Sequence, residues 1–178
     1  PLLKLPAADF KVGGLAAGRP RALFFFHAEK KWSKLYQLRG DEEKPLTVRL
    51  EAPGAFTGRV VDAKGRPWAG VKVSVALSTQ AIYEDPRWQK AVPRELVLDY
   101  PAWGKLLNRE LTTDAGGKFR AEGLAPGLPY EAVVTEAGRK PGAVILYHRL
   151  GLPPESGKTT DLGDLKSKLV PAKGEDKP

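Results

Sequence analysis

Few side chains in this sequence are of a kind that does chemistry, and their spacing decides what they could do. Histidine occurs only at His27 and His148, each towards the close of an apolar strand and at similar places in the two halves of the chain. Two imidazoles with carboxylates could hold zinc, but no metal-ligand spacing joins them. The segment GLPPESGKTT (Gly151–Thr160) has the look of a phosphate loop. Five residues separate Gly151 from Gly157 where that loop needs four, two of them are prolines, and no helical pattern follows. It reads as a turn between strands. The carboxylate pairs Glu84/Asp85 and Asp161/Asp164 read as caps and turns, and no Ser–His–Asp ordering suggests a nucleophile. Cysteine is absent, which excludes disulfides, thiolate metal sites and a Cys nucleophile. The expectation is a non-catalytic chain with no cofactor and no metal; a hydrolase with an unsignalled site is the remote alternative.

The richest cluster is aromatic. Tyr83, Trp88, Tyr100 and Trp103 crowd the stretch 78–110, with Arg87, Lys90, Arg94 and Lys105 among them. Rings with an apolar face and wet edges suit a sugar or a protein partner. These four are the candidate ligand or partner surface. The competing reading is that the rings pin the segment to a core.

The elements that must position these residues read mainly as strands. Phe56–Val61 alternates, DAKGRP (Asp62–Pro67) turns, and Ala69–Leu77 alternates again with Val71, Val73 and Val75 on one face, which predicts a hairpin. RELTTD, the turn DAGG (Asp114–Gly117) and KFRAEGL predict a second pair. Tyr130–Gly138, Ala143–Leu150 and Thr159–Val170 supply further strands. One buried and one wet face per strand predict a β-sandwich. Within 78–110, Asp85–Pro86 predicts a helix start with Asp as cap and Pro at the first position, and Asp99 with Pro101 predicts another before AWGKLLN. The net charge of +8 is scattered, and no basic run interleaves with aromatics, which argues against nucleic acid. No apolar run reaches the roughly 18–20 residues a membrane-spanning helix needs. Methionine is absent even at position 1, so the chain reads as a piece of a longer protein.

The sequence also repeats itself. DFKVGGLAAGRPR (Asp9–Arg21) aligns without a gap on KFRAEGLAPGLPY (Lys118–Tyr130) at a constant offset of 109 residues, Phe10 meeting Phe119 and Gly14 meeting Gly123. This predicts that residues 1–51 are the C-terminal half of a preceding repeat, that 52–170 form a complete one with an insertion at 78–110, and that 171–178 are a disordered tail. The half-repeat is expected to pack on the full one, because half a sandwich leaves an apolar face wet.

GRVVDAKGRPWAGVKVSV, followed by TTDAGGKFRAEGLAPGLPYEAVVT, resembles the carboxypeptidase regulatory-like, transthyretin-like β-sandwich modules, which share a carbohydrate-binding-like fold. Gly58, Val60, Asp62, Gly65, Pro67, Ala69, Gly70, Val71 and Val73 match the first block of that family's pattern. Thr113, Asp114, Gly117 and Phe119 match the second, and Gly123, Leu124, Pro126, Gly127 and Tyr130 the third. Trp68 stands where a smaller aliphatic residue is usual, and the insertion is longer than the usual connection. The resemblance implies an all-β, antiparallel Ig-like or transthyretin-like sandwich. It implies an accessory role in a secreted or surface-attached bacterial protein, spacing or docking other domains of the same polypeptide or a protein partner. Glycan binding through the insertion's aromatics is the alternative.

Overall fold

The computed structural model describes residues 5, 7–14, 16–18, 21–92, 100–135, 144–150 and 153–168. Asp99 and the 171–178 tail lie outside them. In chain order the elements are β1 (Arg21–Phe26), β2 (Ser33–Leu38), β3 (Gly54–Val61), β4 (Lys72–Leu77), α1 (Thr79–Glu84), α2 (Pro86–Ala91), α3 (Tyr100–Leu107), β5 (Arg109–Thr112), β6 (Lys118–Leu124), β7 (Tyr130–Thr135), β8 (Val144–Leu150) and β9 (Thr159–Lys166).

Two sheets form the sandwich, one ordered β6-β3-β9 and the other β5-β4-β7-β8, while β1 and β2 pair in a separate hairpin. The alternation read from the sequence is the alternation that is buried. Val71, Val73 and Val75 turn inward, as do Tyr130, Ala132 and Val134 on β7. Phe56 and Val60 of β3, Phe119 and Ala121 of β6, and Leu165 of β9 complete one core with them. Phe56 and Tyr130 meet edge to face at 6.5 Å, and the buried Tyr130 hydroxyl accepts the Ala125 N–H at 3.0 Å. Truncating a ring such as Phe56 to Ala would cost about 3–5 kcal/mol.

The strand pairing differs from the two hairpins predicted. β3 lies between β6 and β9, and β4 lies between β5 and β7. The chain therefore changes layer between β3 and β4 and again between β5 and β6. The first turn does begin as a hairpin, with Val61 opposite Pro67 and Trp68 N–H on the Val60 carbonyl at 2.9 Å. Trp68 is then buried in the core. Gly70, at φ +72°, redirects the chain, and its N–H bonds the Thr113 carbonyl of the other layer at 3.1 Å. The second crossing runs beside the first: Val60 N–H donates to the Gly117 carbonyl at 2.8 Å. The Thr113 hydroxyl ties them, donating to the Trp68 carbonyl at 2.8 Å and accepting Val71 N–H at 3.1 Å. A sequence turn of Asp, Gly and Pro fixes reversal of direction but not which layer receives the next strand.

Both turns use one bonding scheme. In each, the Asp N–H bonds the carbonyl four residues on, at 2.9 Å for Asp62 to Arg66 and for Asp114 to Lys118. The Gly65 and Gly117 N–H groups return to the carbonyls of Asp62 and Asp114. One carboxylate oxygen accepts two backbone N–H groups, those of Lys64 and Arg66 at Asp62 and those of Gly116 and Lys118 at Asp114.

A second departure concerns β9. It runs parallel to β3, so the layer β6-β3-β9 is mixed rather than wholly antiparallel. A bulge at Gly163 (φ +67°) lets Asp161 accept the Gly163 N–H at 3.0 Å.

The β1–β2 hairpin joins the sandwich through Phe24 and Leu35, which pack against its core cluster. Ser33 and Glu51 exchange backbone hydrogen bonds of 3.0 and 2.9 Å, closing the connection back onto β2.

Candidate functional site

The insertion begins at the end of β4. The buried Ser78 caps α1, its Oγ accepting Ala81 N–H at 3.2 Å. Asp85 caps α2 with Pro86 at the first helical position, and its Oδ1 accepts Arg87 N–H at 2.9 Å, as the sequence predicted. α3 covers the expected AWGKLLN segment up to Leu107, leaving Asn108 outside, with Pro101 in its first turn. Ile82, Val92 and Leu107 are buried in the main core, so apolar anchors hold the insertion against the sandwich.

The four candidate rings divide. Tyr83 projects to solvent, 41 % exposed. Trp88 is half-buried and packs against the core. Tyr100 and Trp103 sit on α3, and their side chains lie outside the described residues. Between Tyr83 and Trp88, one ring faces solvent and the other helps to anchor the insertion.

The groups that might have done chemistry are committed to structure. His27 is exposed in the turn past β1, where its Nδ1 accepts Lys30 N–H at 3.4 Å. His148 lies within β8 opposite Ala132, so the two histidines do not occupy equivalent places. Glu84 accepts Gln80 Nε2 at 2.7 Å. Asp164 accepts Arg59 through two bonds of 2.7 Å, and the guanidinium holds its carboxyl below the usual carboxylate range. The Arg87 side chain, with the cap bond from Arg87 N–H, does the same for Asp85. Burial alone would raise Asp62, but the Arg66 N–H, the Arg66 guanidinium and the Lys64 N–H outweigh it and bring the carboxyl down. The GKTT segment continues directly as β9, without the helix a phosphate loop requires. Among the described residues no three His, Cys, Asp or Glu side chains gather as they would around a metal.

Two arginines that the sequence analysis did not single out do related work. Arg109 donates from Nε to the Glu122 carbonyl at 2.6 Å and from Nη2 to the Gly123 carbonyl. Arg21 reaches the carbonyls of Gly13 and Gly14 at 3.2 and 3.1 Å. Those two pairs of carbonyls stand 109 residues apart, the offset of the sequence repeat. Gly14 and Gly18 have φ of +68° and +76°, as Gly123 and Gly127 have +72° and +73°. The arginines occupy unrelated positions in the repeat, so aligning it could not reveal them.

No family model and no curated protein matches the chain. Among solved structures it is similar to the shaft pilin SpaA of Lactobacillus rhamnosus GG, at 12 % identity over 69 % of this chain and 48 % of that one, with a TM-score of 0.37. The minor pilin of Streptococcus agalactiae matches at 16 % identity over 81 % and 56 %, TM-score 0.38. Catechol 1,2-dioxygenase from Acinetobacter matches at 13 % over 74 % and 56 %, TM-score 0.35. The chain spans about half the length of these solved chains. Pilins and an oxygenase stand side by side at similar scores, and nothing about activity follows from them.

Proposed function

We propose that this chain is a non-catalytic structural module of a larger secreted or surface-attached bacterial protein, a member of the carboxypeptidase regulatory-like group, spacing and docking neighbouring domains. The observation that carries the reading is the parallel ladder of β3 and β9. In a parallel pair, the start of the first strand and the end of the last lie at opposite poles. A domain before β3 and a domain after β9 are therefore held apart by the length of the sandwich. The half-repeat supports the same reading, because its hairpin is docked through Phe24 and Leu35 and its corner glycines share the backbone conformation of the full repeat.

A charge placed in the docking contact tests this. Phe24→Asp in the full chain should lower the thermal midpoint by several degrees in a single calorimetric transition. An unchanged midpoint would mean that the hairpin is a loose appendage and the tandem reading fails.

The exposed Tyr83 ring favours a second reading, glycan binding by the insertion. A glycan array on which the chain binds a sugar, with that binding lost in Tyr83→Ala, would replace the first reading by this one.

A further inference from the structure

The segment that looks like a phosphate loop borders a cleft in the folded chain. Gly157, Lys158 and Thr159 line a cleft of about 470 Å³, within the usual size of small-ligand sites. Lys31 in the β1–β2 turn forms another wall, and Arg109, Arg120 and Glu122 of β5 and β6 form a third. Four cations thus meet one lining carboxylate. Arg120 pairs with Glu122 at 2.5 Å and donates to Thr159 Oγ1 at 3.2 Å, which leaves the Thr159 hydroxyl hydrogen able to donate elsewhere. Lys158 pairs with Glu155 at 2.6 Å. Lys31 and Arg109 have no carboxylate within ion-pair distance among the described residues. Among the described residues Arg109 bonds only carbonyls, including those of Leu106 and Asn108 at 3.0 and 2.7 Å.

The wider cleft on the outer face of β6-β3-β9, about 630 Å³, supplies a contrast. There Arg59, Lys118 and Arg120 are balanced by Asp114, Asp161 and Asp164. Counting Glu155 as well as Glu122, the cleft at Lys31 still keeps a net positive charge, and a half-buried one at Arg109.

Lys31 is also strained. Its φ of +57° makes it the only non-glycine residue in the left-handed region among the described residues. It holds the last loop position of a turn closed by His27 N–H on the Trp32 carbonyl at 2.8 Å and by Lys31 N–H on the His27 carbonyl at 2.8 Å. Glycine or asparagine suits that position better. The backbone bonds of the turn make no use of the lysine side chain. Its ammonium lies over the Phe26 ring, 5.7 Å from the centroid.

We propose that this cleft binds an oxyanion of the phosphate or sulfate type, with Lys31, Arg120, Lys158 and the Thr159 hydroxyl as its contacts. Because Lys31 belongs to the preceding hairpin and the others to the sandwich, the anion fastens one to the other. The proposal does not depend on the spacing role.

Isothermal titration of the 178-residue chain with pyrophosphate, and separately with sulfate, tests it. At physiological ionic strength a single saturable site is expected for at least one of them. Lys31→Gly and Lys158→Ala should each weaken it roughly ten-fold, the size of one lost charge-assisted contact. Lys72→Ala, on an exposed β4 position outside the cleft, should leave it unchanged. Lys31→Gly should also raise the thermal midpoint, a gain of stability with a loss of binding that a merely structural lysine would not give. Lys31→Asn, which tolerates the left-handed conformation too, repeats the test should the glycine variant fold poorly. Saturation by neither anion, indifference to both Lys31 variants, or an equal loss with Lys72→Ala overturns the proposal. A preference for one anion identifies the source of the group.

Discussion

The Asp62 and Asp114 turns share their hydrogen bonds and exchange their environments. Asp62 is buried, 1 % exposed, and Asp114 is exposed. Gly65 has open space where a side chain would stand, whereas a Cβ on Gly117 would lie 2.6 Å from the Val60 carbonyl oxygen and 2.9 Å from Trp68 N. The first turn rests its acid on the fold, the second its glycine. Equal local chemistry therefore does not mean equal dependence on that chemistry. The turn sequence sets the bonds, and the neighbouring layer crossing decides which residue has no substitute.

Substitutions at the two glycines and at Asp62 test this difference between the turns. Gly117→Ala carries the largest expected effect, because it combines a left-handed backbone with a clash against fixed main chain. Chemical denaturation should show a loss of about 3–5 kcal/mol; a loss near that of Gly65→Ala would mean that the crossing relaxes. Acid comes next. The Asp62 carboxyl ionises below its ordinary value in the folded chain, so the unfolded chain takes up the proton first as pH falls. The stabilisation is complete at neutral pH and is lost as pH drops from about 4 through the lower folded value. The midpoint difference between wild type and Asp62→Asn should close over that window, and a constant gap would remove the ionised carboxylate from the account. Gly65→Ala is the smallest. It should cost about 1–2 kcal/mol, the left-handed backbone alone.

Alternation along β4 and β7 was legible in the sequence because burial repeats every second residue whatever the partner strand. The Asp85–Pro86 helix start was legible because a cap involves only neighbours in sequence. Strand partners were not, since DAKGRP and DAGG specify a reversal and the destination depends on Trp68 finding the core and Thr113 bridging to it. The parallel placement of β9 left no mark on its own residues. For the candidate surface, the sequence located the rings of the insertion but could not separate Trp88, which faces the core, from Tyr83, which does not. The cleft at Lys31 was illegible for a related reason, its cations being drawn from residues 31, 109, 120 and 158.

The neighbouring run of β3 and β9 also has a mechanical consequence. Six residue pairs join these strands, from Ala55 with Thr159 to Val61 with Lys166. Traction applied to the start of β3 and the finish of β9 pulls the strands along each other in opposite directions. All six rungs then take the load together, whereas tension on adjacent strand ends would open a ladder one rung at a time.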